Sequence, residues 1–188
     1  MANKRYKIFV VDDNNMVIGW VSKSDLANIA LNDTKNSHSM LKDTPTEYIS
    51  KTIAGKIHYD DDQRHLNGKV SILTMTNKEN LEDYEVTDRI VITGGNKKAQ
   101  KILIEKGAGM LIIIWETSVD ESVLKLAKEH HCTIITSGYG AMNTSRYLFF
   151  APPVRMMMTL KPMKFYGHEL AEDAGRKMAR TQFRAFPV

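Results

Sequence analysis

Residues Asp88 to Asn96 read Asp-Arg-Ile-Val-Ile-Thr-Gly-Gly-Asn, and two further β-rich apolar runs follow, Met110 to Trp115 and Thr133 to Ser137. Three short apolar runs separated by segments of helical periodicity predict a βαβαβ unit, in which helices pack on a parallel sheet. Every position from Met110 to Ile114 is apolar, so both faces of this strand must be covered. We therefore expect it to be the central strand.

The two segments between these runs carry helix start and stop signals. Asn96 can cap the first helix and Gly107 can end it. Ser118 and Glu121 have the spacing of a capping box at the start of the second helix. The apolar positions of both segments recur at helical spacing: Ala99, Ile102 and Leu103 in the first, and Val123, Leu124 and Ala127 in the second.

Gly94 and Gly95, followed by Asn96, Lys97 and Lys98, lie where a strand meets a helix. Backbone amides and the helix dipole can hold a phosphate at such a position. The ordinary alternative is a tight βα turn, which we favour because neither phosphate-binding glycine pattern, Gly-x-x-x-x-Gly-Lys-[Ser/Thr] or Gly-x-Gly-x-x-Gly, is present.

Length and composition indicate a soluble globular protein with one large domain or two small ones. The chain has 188 residues, of which 43% are hydrophobic and 26% charged, and its formal charge is +4. The basic residues are scattered, which argues against a nucleic-acid partner. No apolar run reaches membrane-spanning length, no signal peptide opens the chain, and one cysteine fits a reducing compartment. We expect a cytoplasmic protein with no membrane partner.

Two stretches contain residue types that bind metals. Cys132 follows His130 and His131, but no second ligand cluster completes a four-coordinate zinc site, so we expect a buried structural thiol beside surface histidines. Residues 60–62 are three consecutive aspartates without the spacing of a calcium loop, and we expect a solvated loop there. The sequence thus predicts no metal site.

The central region resembles the DRTGG domain. The resemblance rests on Asp88-Arg89 through Thr93-Gly94-Gly95, the Lys-Gly-Ala turn at residues 106–108 and the isoleucine-rich strand after it, and it covers about residues 44–150. The sequence departs from the family pattern at Ser137 to Met142. The resemblance implies a fold but brings no ligand or activity of its own.

The N-terminal region predicts a β-β-α arrangement. Lys7 to Val11 is a strand, residues 12–15 a hairpin turn and Met16 to Val21 the return strand. Ser22 can then cap a helix over residues 23–30. Residues 32–43 are polar and are expected to be a linker, after which Thr44-Pro45-Thr46-Glu47 should begin another helix.

The segment Gly19-Trp20-Val21-Ser22-Lys23-Ser24-Asp25 resembles the nucleotide signature of CBS domains, Gly-h-x-[Ser/Thr]-x-x-[Asp/Asn]. Gly19 would leave room for a ligand against the strand. Ser22 would offer its hydroxyl to a phosphate, and Asp25 would accept hydrogen bonds from ribose hydroxyls. The alternative needs no ligand: Ser22 is the helix cap and Asp25 the carboxylate in its first turn. The sequence leaves both open.

The C-terminal region is similar to the first half of a CBS domain. Residues 151–153 would be an extended linker, Val154 to Thr159 a packed strand, and Phe183 to Val188 the start of another strand. Between them an amphipathic helix would bury one face: Leu170, Ala171, Ala174, Met178 and Thr181. We therefore expect an α/β chain in three parts: part of a first CBS motif at 1–35 (β-β-α), a DRTGG domain at 44–150, and part of a second CBS motif at 151–188 (β-α-β).

This order resembles the regulatory region of CBS-domain family II inorganic pyrophosphatases, which depend on manganese or cobalt. The resemblance implies that AMP and ADP inhibit the parent enzyme, while ATP or diadenosine polyphosphates such as diadenosine tetraphosphate activate it. Manganese or cobalt would belong only to a catalytic domain, whose Asp-His-His motif is absent from this sequence. The chain alone is therefore not expected to be an enzyme.

The resemblance also suggests which residues meet the nucleotide. Phe183 to Val188 aligns with Tyr6 to Val11, so Arg184 falls on Lys7 and Phe186 on Phe9. Lys7 and Arg184 would neutralise phosphates, and Phe9 and Phe186 would border the nucleotide. With Gly19, Ser22 and Asp25 they are the expected nucleotide-binding residues.

CBS motifs pair through their apolar sheets, so the resemblance implies a homodimer. The competing hypothesis is a ligand-free dimerisation and spacer module, either of the same kind of enzyme or of a DRTGG- and CBS-containing transcription regulator. A free-standing enzyme would need an acid–base pair or a nucleophile, and the sequence offers no constellation for one.

Overall fold

The computed structural model describes residues 7–31, 35–74, 81, 83–160 and 163–180. The strands are β1 (Lys7–Val11), β2 (Val17–Ser22), β3 (Lys56–Tyr59), β4 (Val70–Ile72), β5 (Ile90–Thr93), β6 (Met110–Ile114), β7 (Thr133–Ser137) and β8 (Thr159–Leu160). The helices are α1 (Lys23–Leu31), α2 (Lys35–Lys42), α3 (Thr46–Thr52), α4 (Lys97–Glu105), α5 (Glu121–Glu129), α6 (Ala141–Leu148), α7 (Val154–Met157) and α8 (Ala171–Ala179). The chain divides into two units, residues 1–28 with 154–188, and residues 29–153.

A five-stranded sheet of order β3-β7-β6-β5-β4 organises residues 29–153. Strands β4 to β7 are parallel and β3 is antiparallel to β7. All five residues of β6 are buried and β6 is the middle strand, as the unbroken apolar run predicted. The predicted βαβαβ unit, β5-α4-β6-α5-β7, is confirmed.

Helices cover both faces of this sheet. Alternate strand residues point to opposite faces, and they contribute to two separate core layers. One core layer combines the strands with α4 and α5: Val91, Leu111, Ile113 and Ile134 with Ala99, Leu103, Val123 and Ala127. The other combines them with α2, α3 and α6: Ile90, Ile92, Ile112 and Ile135 with Leu41, Ile49, Ile53 and Leu148.

The helix caps of α4 agree with the sequence, whereas the cap of α5 does not. Asn96 accepts hydrogen bonds from the backbone of Lys98 and Ala99, and Gly107 ends α4 in the left-handed region with φ +83°. The predicted capping box at Ser118 is wrong. Asp120 caps α5 by accepting from the Ser122 backbone, because the chain becomes helical two residues later than the box requires.

The predicted polar linker at residues 32–43 is also wrong, because α2 occupies residues 35–42. Its Met40 and Leu41 are buried, and Leu41 joins the core beneath the sheet, so packing stabilises a helix that composition did not indicate. Strand β4, at one edge of the sheet, is only three residues long.

The N-terminal β-β-α prediction is confirmed. Strands β1 and β2 form an antiparallel hairpin, α1 follows directly, and β8 pairs antiparallel with β2 to give a three-stranded sheet of order β1-β2-β8. The hairpin turn is closed by Asp12, whose Oδ1 accepts from the backbone of Asn14 and Met16.

The C-terminal region departs from its prediction. Val154 to Thr159 is not a strand: α7 forms one helical turn, which the hydrogen bond from the Met158 backbone to the Val154 carbonyl extends, and only Thr159 and Leu160 pair with β2. Helix α8 exists, but it buries none of its residues, and Leu170 is 68% exposed. The expected strand from Phe183, with Arg184 and Phe186, lies outside the described residues.

Among the helices in the described part of the chain, none is long and apolar enough to cross a membrane.

Candidate functional site

The register of the β1–β2 hairpin decides which sequence-predicted residues share a surface. Lys7 pairs with Ser22 and Phe9 pairs with Trp20. Directly opposed residues of antiparallel strands point to the same face, and residues two apart along a strand do so as well. Lys7, Phe9, Trp20 and Ser22 therefore lie on one face, which we call the Lys7 face, whereas Gly19 pairs with Val10 on the opposite face.

Ser22 and Asp25 form a reciprocal capping box at the start of α1. The Ser22 backbone donates to Asp25 Oδ2 at 2.7 Å, and the Asp25 backbone donates to Ser22 Oγ at 3.2 Å. This is the arrangement of the ligand-free interpretation. It leaves acceptor capacity on the carboxylate and the hydroxyl proton of Ser22, so the same two side chains retain the chemistry to meet a ligand.

The packing of β8 is sufficient to explain glycine at position 19. A Cβ at Gly19 would lie 2.6 Å from Met158 Sδ and 2.8 Å from the Thr159 carbonyl oxygen. Gly19 pairs with Leu160 of β8, so its missing side chain is what lets β8 approach β2. Packing thus accounts for glycine at this position, and the expected role of Gly19 in nucleotide binding stays a prediction.

Trp20 is the residue that sequence reasoning missed at this site. The Lys7 ammonium lies 4.1 Å from the centroid of a Trp20 ring, a distance typical of a cation–π interaction. The two residues are diagonal neighbours across the hairpin, a separation that long and aromatic side chains span. The hairpin register was the signal that could have paired them. Phe9, which faces Trp20, is 38% exposed.

The turn after β5 has the features of an ordinary βα connection. Lys97 Nζ lies 2.6 Å from Asp120 Oδ2, and its hydrogen bond to that carboxyl group holds the pKa of Asp120 well below the usual range. Glu116 lies beside Gly95 in the same groove. Two carboxylates next to a lysine that is already paired make this groove unfavourable for a phosphate.

Residues 60–62 are not simply a solvated loop, because Asp61 is buried at 5% exposure. Its carboxylate accepts hydrogen bonds from the Tyr59 hydroxyl and the Gln63 backbone, and lies 3.2 Å from His131 Nδ1. Burial raises the pKa of Asp61, but these hydrogen bonds outweigh it and lower the pKa below its ordinary value. The prediction of a solvated loop is wrong for Asp61.

The described residues contain no group of three or more histidine, cysteine, aspartate or glutamate side chains placed to hold a metal ion. Cys132 is fully buried, and burial raises the pKa of its thiol to about 12. It is a structural thiol without thiolate chemistry at neutral pH, as predicted.

A sequence model of the DRTGG domain matches residues 48–149, more than half of the chain. The chain belongs to the DRTGG domain family. A CBS domain model matches residues 1–32, which include β1, β2 and the Ser22–Asp25 capping box. The DRTGG domain therefore corresponds to the five-stranded sheet and its helices, and the N-terminal CBS match contains the Lys7 face.

Two inorganic pyrophosphatases are similar to this chain in sequence. The cobalt-dependent inorganic pyrophosphatase of Clostridium perfringens is 27% identical over 192 residues, covering all of this chain and 35% of the relative. The probable manganese-dependent inorganic pyrophosphatase of Thermotoga maritima is 25% identical over 162 residues, covering 86% of this chain and 29% of the relative. The DRTGG chain thus spans about a third of the length of these relatives.

The fold is similar to a solved structure as well. The CBS and DRTGG domains of the regulatory region of Clostridium perfringens pyrophosphatase, complexed with the activator diadenosine tetraphosphate, match with a TM-score of 0.81 and 25% identity. The match covers 97% of this chain and 80% of that one.

Proposed function

We propose that this chain is a regulatory region that binds adenine nucleotides and controls an inorganic pyrophosphatase. The observation that carries the proposal is the likeness over nearly the whole chain to a regulatory region that holds an adenine-containing activator. The register of the hairpin adds support, because it gathers a cation, a hydroxyl and two aromatic rings on the Lys7 face.

The proposed nucleotide residues are those that the CBS resemblance suggests. Ser22 and Asp25 hold ribose and phosphate through the groups that the capping box leaves available. Lys7 neutralises phosphate and Phe9 borders the nucleotide. Gly19 contributes by allowing β8 to pack. Arg184 and Phe186 would supply a second cation and a second aromatic ring.

In this proposal the bound nucleotide sets the activity of the attached enzyme. AMP and ADP inhibit, and ATP or diadenosine tetraphosphate activates. AMP, ADP and ATP differ only in the number of phosphates, so the contacts that discriminate among these three must respond to the phosphate chain. Diadenosine tetraphosphate has a longer phosphate chain and a second adenosine. In this proposal manganese or cobalt belongs to the catalytic domain of the parent protein, and no catalytic role is assigned to the regulatory region.

Titration calorimetry with AMP and ATP tests the proposal directly. We expect micromolar dissociation constants, which correspond to about 8 kcal/mol of binding free energy. The matched control is the same titration with GTP, which carries the same charge on a different base. If neither AMP nor ATP gives heat of binding at millimolar concentration, nucleotide binding by this chain is contradicted.

A second candidate function is a ligand-free module that dimerises and spaces catalytic domains. The completed capping box favours it, since Ser22 and Asp25 satisfy each other's backbone without a ligand. Thermal unfolding separates the two functions. A nucleotide at 100 times its dissociation constant stabilises the fold by about 2.7 kcal/mol, whereas a spacer does not respond.

A further inference from the structure

We propose that Trp20 determines the specificity of the nucleotide site for the number of phosphates, by holding the Lys7 ammonium over its ring. This inference rests on the proposed function and assigns a role to a residue outside the expected nucleotide set. The ligand class that Trp20 favours is a nucleotide with several phosphates rather than a nucleoside or a monophosphate.

The Lys7 face has an apolar end and a polar end. Phe9 and Trp20 are directly opposed at the apolar end, and Lys7 and Ser22 are directly opposed at the polar end. A nucleotide has the same division, with a planar base at one end and an anionic chain at the other. Matching the two directions places the base beside Phe9, because the face of Trp20 is turned to the Lys7 ammonium, and it places the phosphates at Lys7 and Ser22.

Trp20 links the two ends, because its ring receives the Lys7 ammonium diagonally at 4.1 Å. A lysine side chain loses much rotamer freedom when it is fixed, so an ammonium that the ring already holds loses less freedom when a phosphate binds. The ring attracts the cation through its face, so this contact itself uses none of the N–H donors of the ammonium.

The consequence is selectivity by charge. The attraction between the positioned ammonium and the ligand grows with the negative charge of the phosphate chain and vanishes for adenosine, which has no phosphate. Removing the ring should therefore weaken ATP binding more than AMP binding and leave adenosine binding unchanged.

The test compares Trp20→Leu and Trp20→Phe with the unaltered chain, using calorimetric titrations of adenosine, AMP and ATP. For Trp20→Leu we expect the affinity for ATP to fall about three- to tenfold, the range that corresponds to the cost of immobilising one flexible side chain on binding. Trp20→Phe keeps a weaker π-face, so its affinity for ATP should lie between those of the unaltered chain and Trp20→Leu. Thermal unfolding of each variant shows that the hairpin is intact.

A double-mutant cycle with Lys7→Met tests whether Trp20 affects ATP binding only through Lys7. If Trp20 acts by positioning Lys7, Trp20→Leu or Trp20→Phe has no further effect on ATP affinity once Lys7 is replaced. Additive losses would mean that Trp20 contacts the ligand independently of Lys7, which overturns the proposed mechanism.

Tryptophan fluorescence gives a second readout, because the chain contains only Trp20 and Trp115. In Trp115→Phe, ATP should change the emission of Trp20 with the same dissociation constant that calorimetry gives. The matched control is Trp20→Phe, which leaves Trp115, 77% exposed in the other unit, and should show no saturable change.

The outcomes separate the two proposals. If the unaltered chain binds no adenine nucleotide, the proposed function fails, and the role of Trp20 falls with it. If it binds ATP and Trp20→Leu keeps the same ratio of ATP to adenosine affinity, only the role of Trp20 fails. Tighter ATP binding by Trp20→Leu would show that the ring competes with phosphate for Lys7, which also overturns this inference.

Discussion

One substitution can separate the capping role of Asp25 from its proposed role in ribose binding. Its carboxylate accepts from the Ser22 backbone, so Asp25→Ala should reduce the free energy of unfolding by about 0.5–1 kcal/mol, the usual cost of losing part of a helix cap. If it also accepts from ribose hydroxyls, the same change weakens ATP binding by about 1.5–3 kcal/mol. Denaturation and calorimetric titration measure the two effects.

The control for Asp25 is Asp13→Ala, which removes an exposed carboxylate from the hairpin turn of the same unit. It should change neither stability nor binding appreciably. A loss of stability in Asp25→Ala with unchanged ATP affinity would leave Asp25 as a capping residue only and favour the spacer function.

Asp61 should make the stability of the DRTGG domain dependent on pH in acid. Its pKa is lowered in the folded state, so its stabilising contribution is fully present above the unfolded pKa near 3.9 and is lost as the pH falls through the lower folded value. Asp61→Asn cannot titrate. Its stability at pH 7 should be lower, and its loss of stability below about pH 4 should be shallower than that of the unaltered chain.

Chemical denaturation at a series of pH values measures this difference. Asp62→Asn is the matched control, since Asp62 is the exposed neighbour of Asp61 in the same loop. Equal acid slopes for the unaltered chain and Asp61→Asn would show that the bonds from Tyr59 and His131 do not control acid stability.

At the scale of elements, the pairing of β2 with β8 depends on the absence of a side chain at Gly19. Met158 Sδ belongs to a flexible side chain and can move, but the Thr159 carbonyl oxygen is part of the strand and cannot. Gly19→Ala should therefore destabilise the protein by about 1–3 kcal/mol, the usual cost of overpacking. Denaturant unfolding followed by circular dichroism measures it.

Gly175→Ala is the matched control, because Gly175 lies inside α8 of the same unit and an added Cβ meets nothing within 4 Å. Alanine in a helix interior should stabilise it by about 0.5–1 kcal/mol. If both variants shift stability in the same direction, the close approach of β8 is not what requires glycine at position 19.

For the whole molecule we predict a homodimer that forms through the unit containing β1, β2 and β8. Large apolar side chains are exposed on both outer strands of its sheet, Ile8 of β1 at 67% and Leu160 of β8 at 62%, and exposed apolar surface of this kind favours an interaction between chains. Light scattering at micromolar concentration should give twice the chain mass of 21.3 kDa.

Ile8→Lys should shift this equilibrium towards the monomer, because an unpaired charge is costly at a buried interface. Tyr48→Lys is the control, since Tyr48 is an exposed apolar residue of the other unit. A monomeric unaltered chain, or equal dissociation of the two variants, would contradict dimerisation through this sheet.

Features encoded by a few neighbouring residues were predictable from the sequence. The unbroken apolar run of β6 required cover on both faces and therefore the centre of the sheet. Asn96 and Gly107 mark the ends of α4 because capping is decided within one helical turn. The β1–β2 hairpin followed from two β-rich runs around a polar turn.

Contacts between distant segments were decided only by the tertiary structure. Asp61 became a buried acceptor because β3 brings Tyr59 beside it and the turn before β7 brings His131, 70 residues later in the chain. Residues 35–42 form a helix because Leu41 packs into the core against the sheet. Periodicity reports which side chains need burial, but not which partners meet them. The Lys7–Trp20 contact follows from the hairpin register alone. The reason for glycine at position 19 becomes apparent only from β8, which lies far from β2 in the sequence.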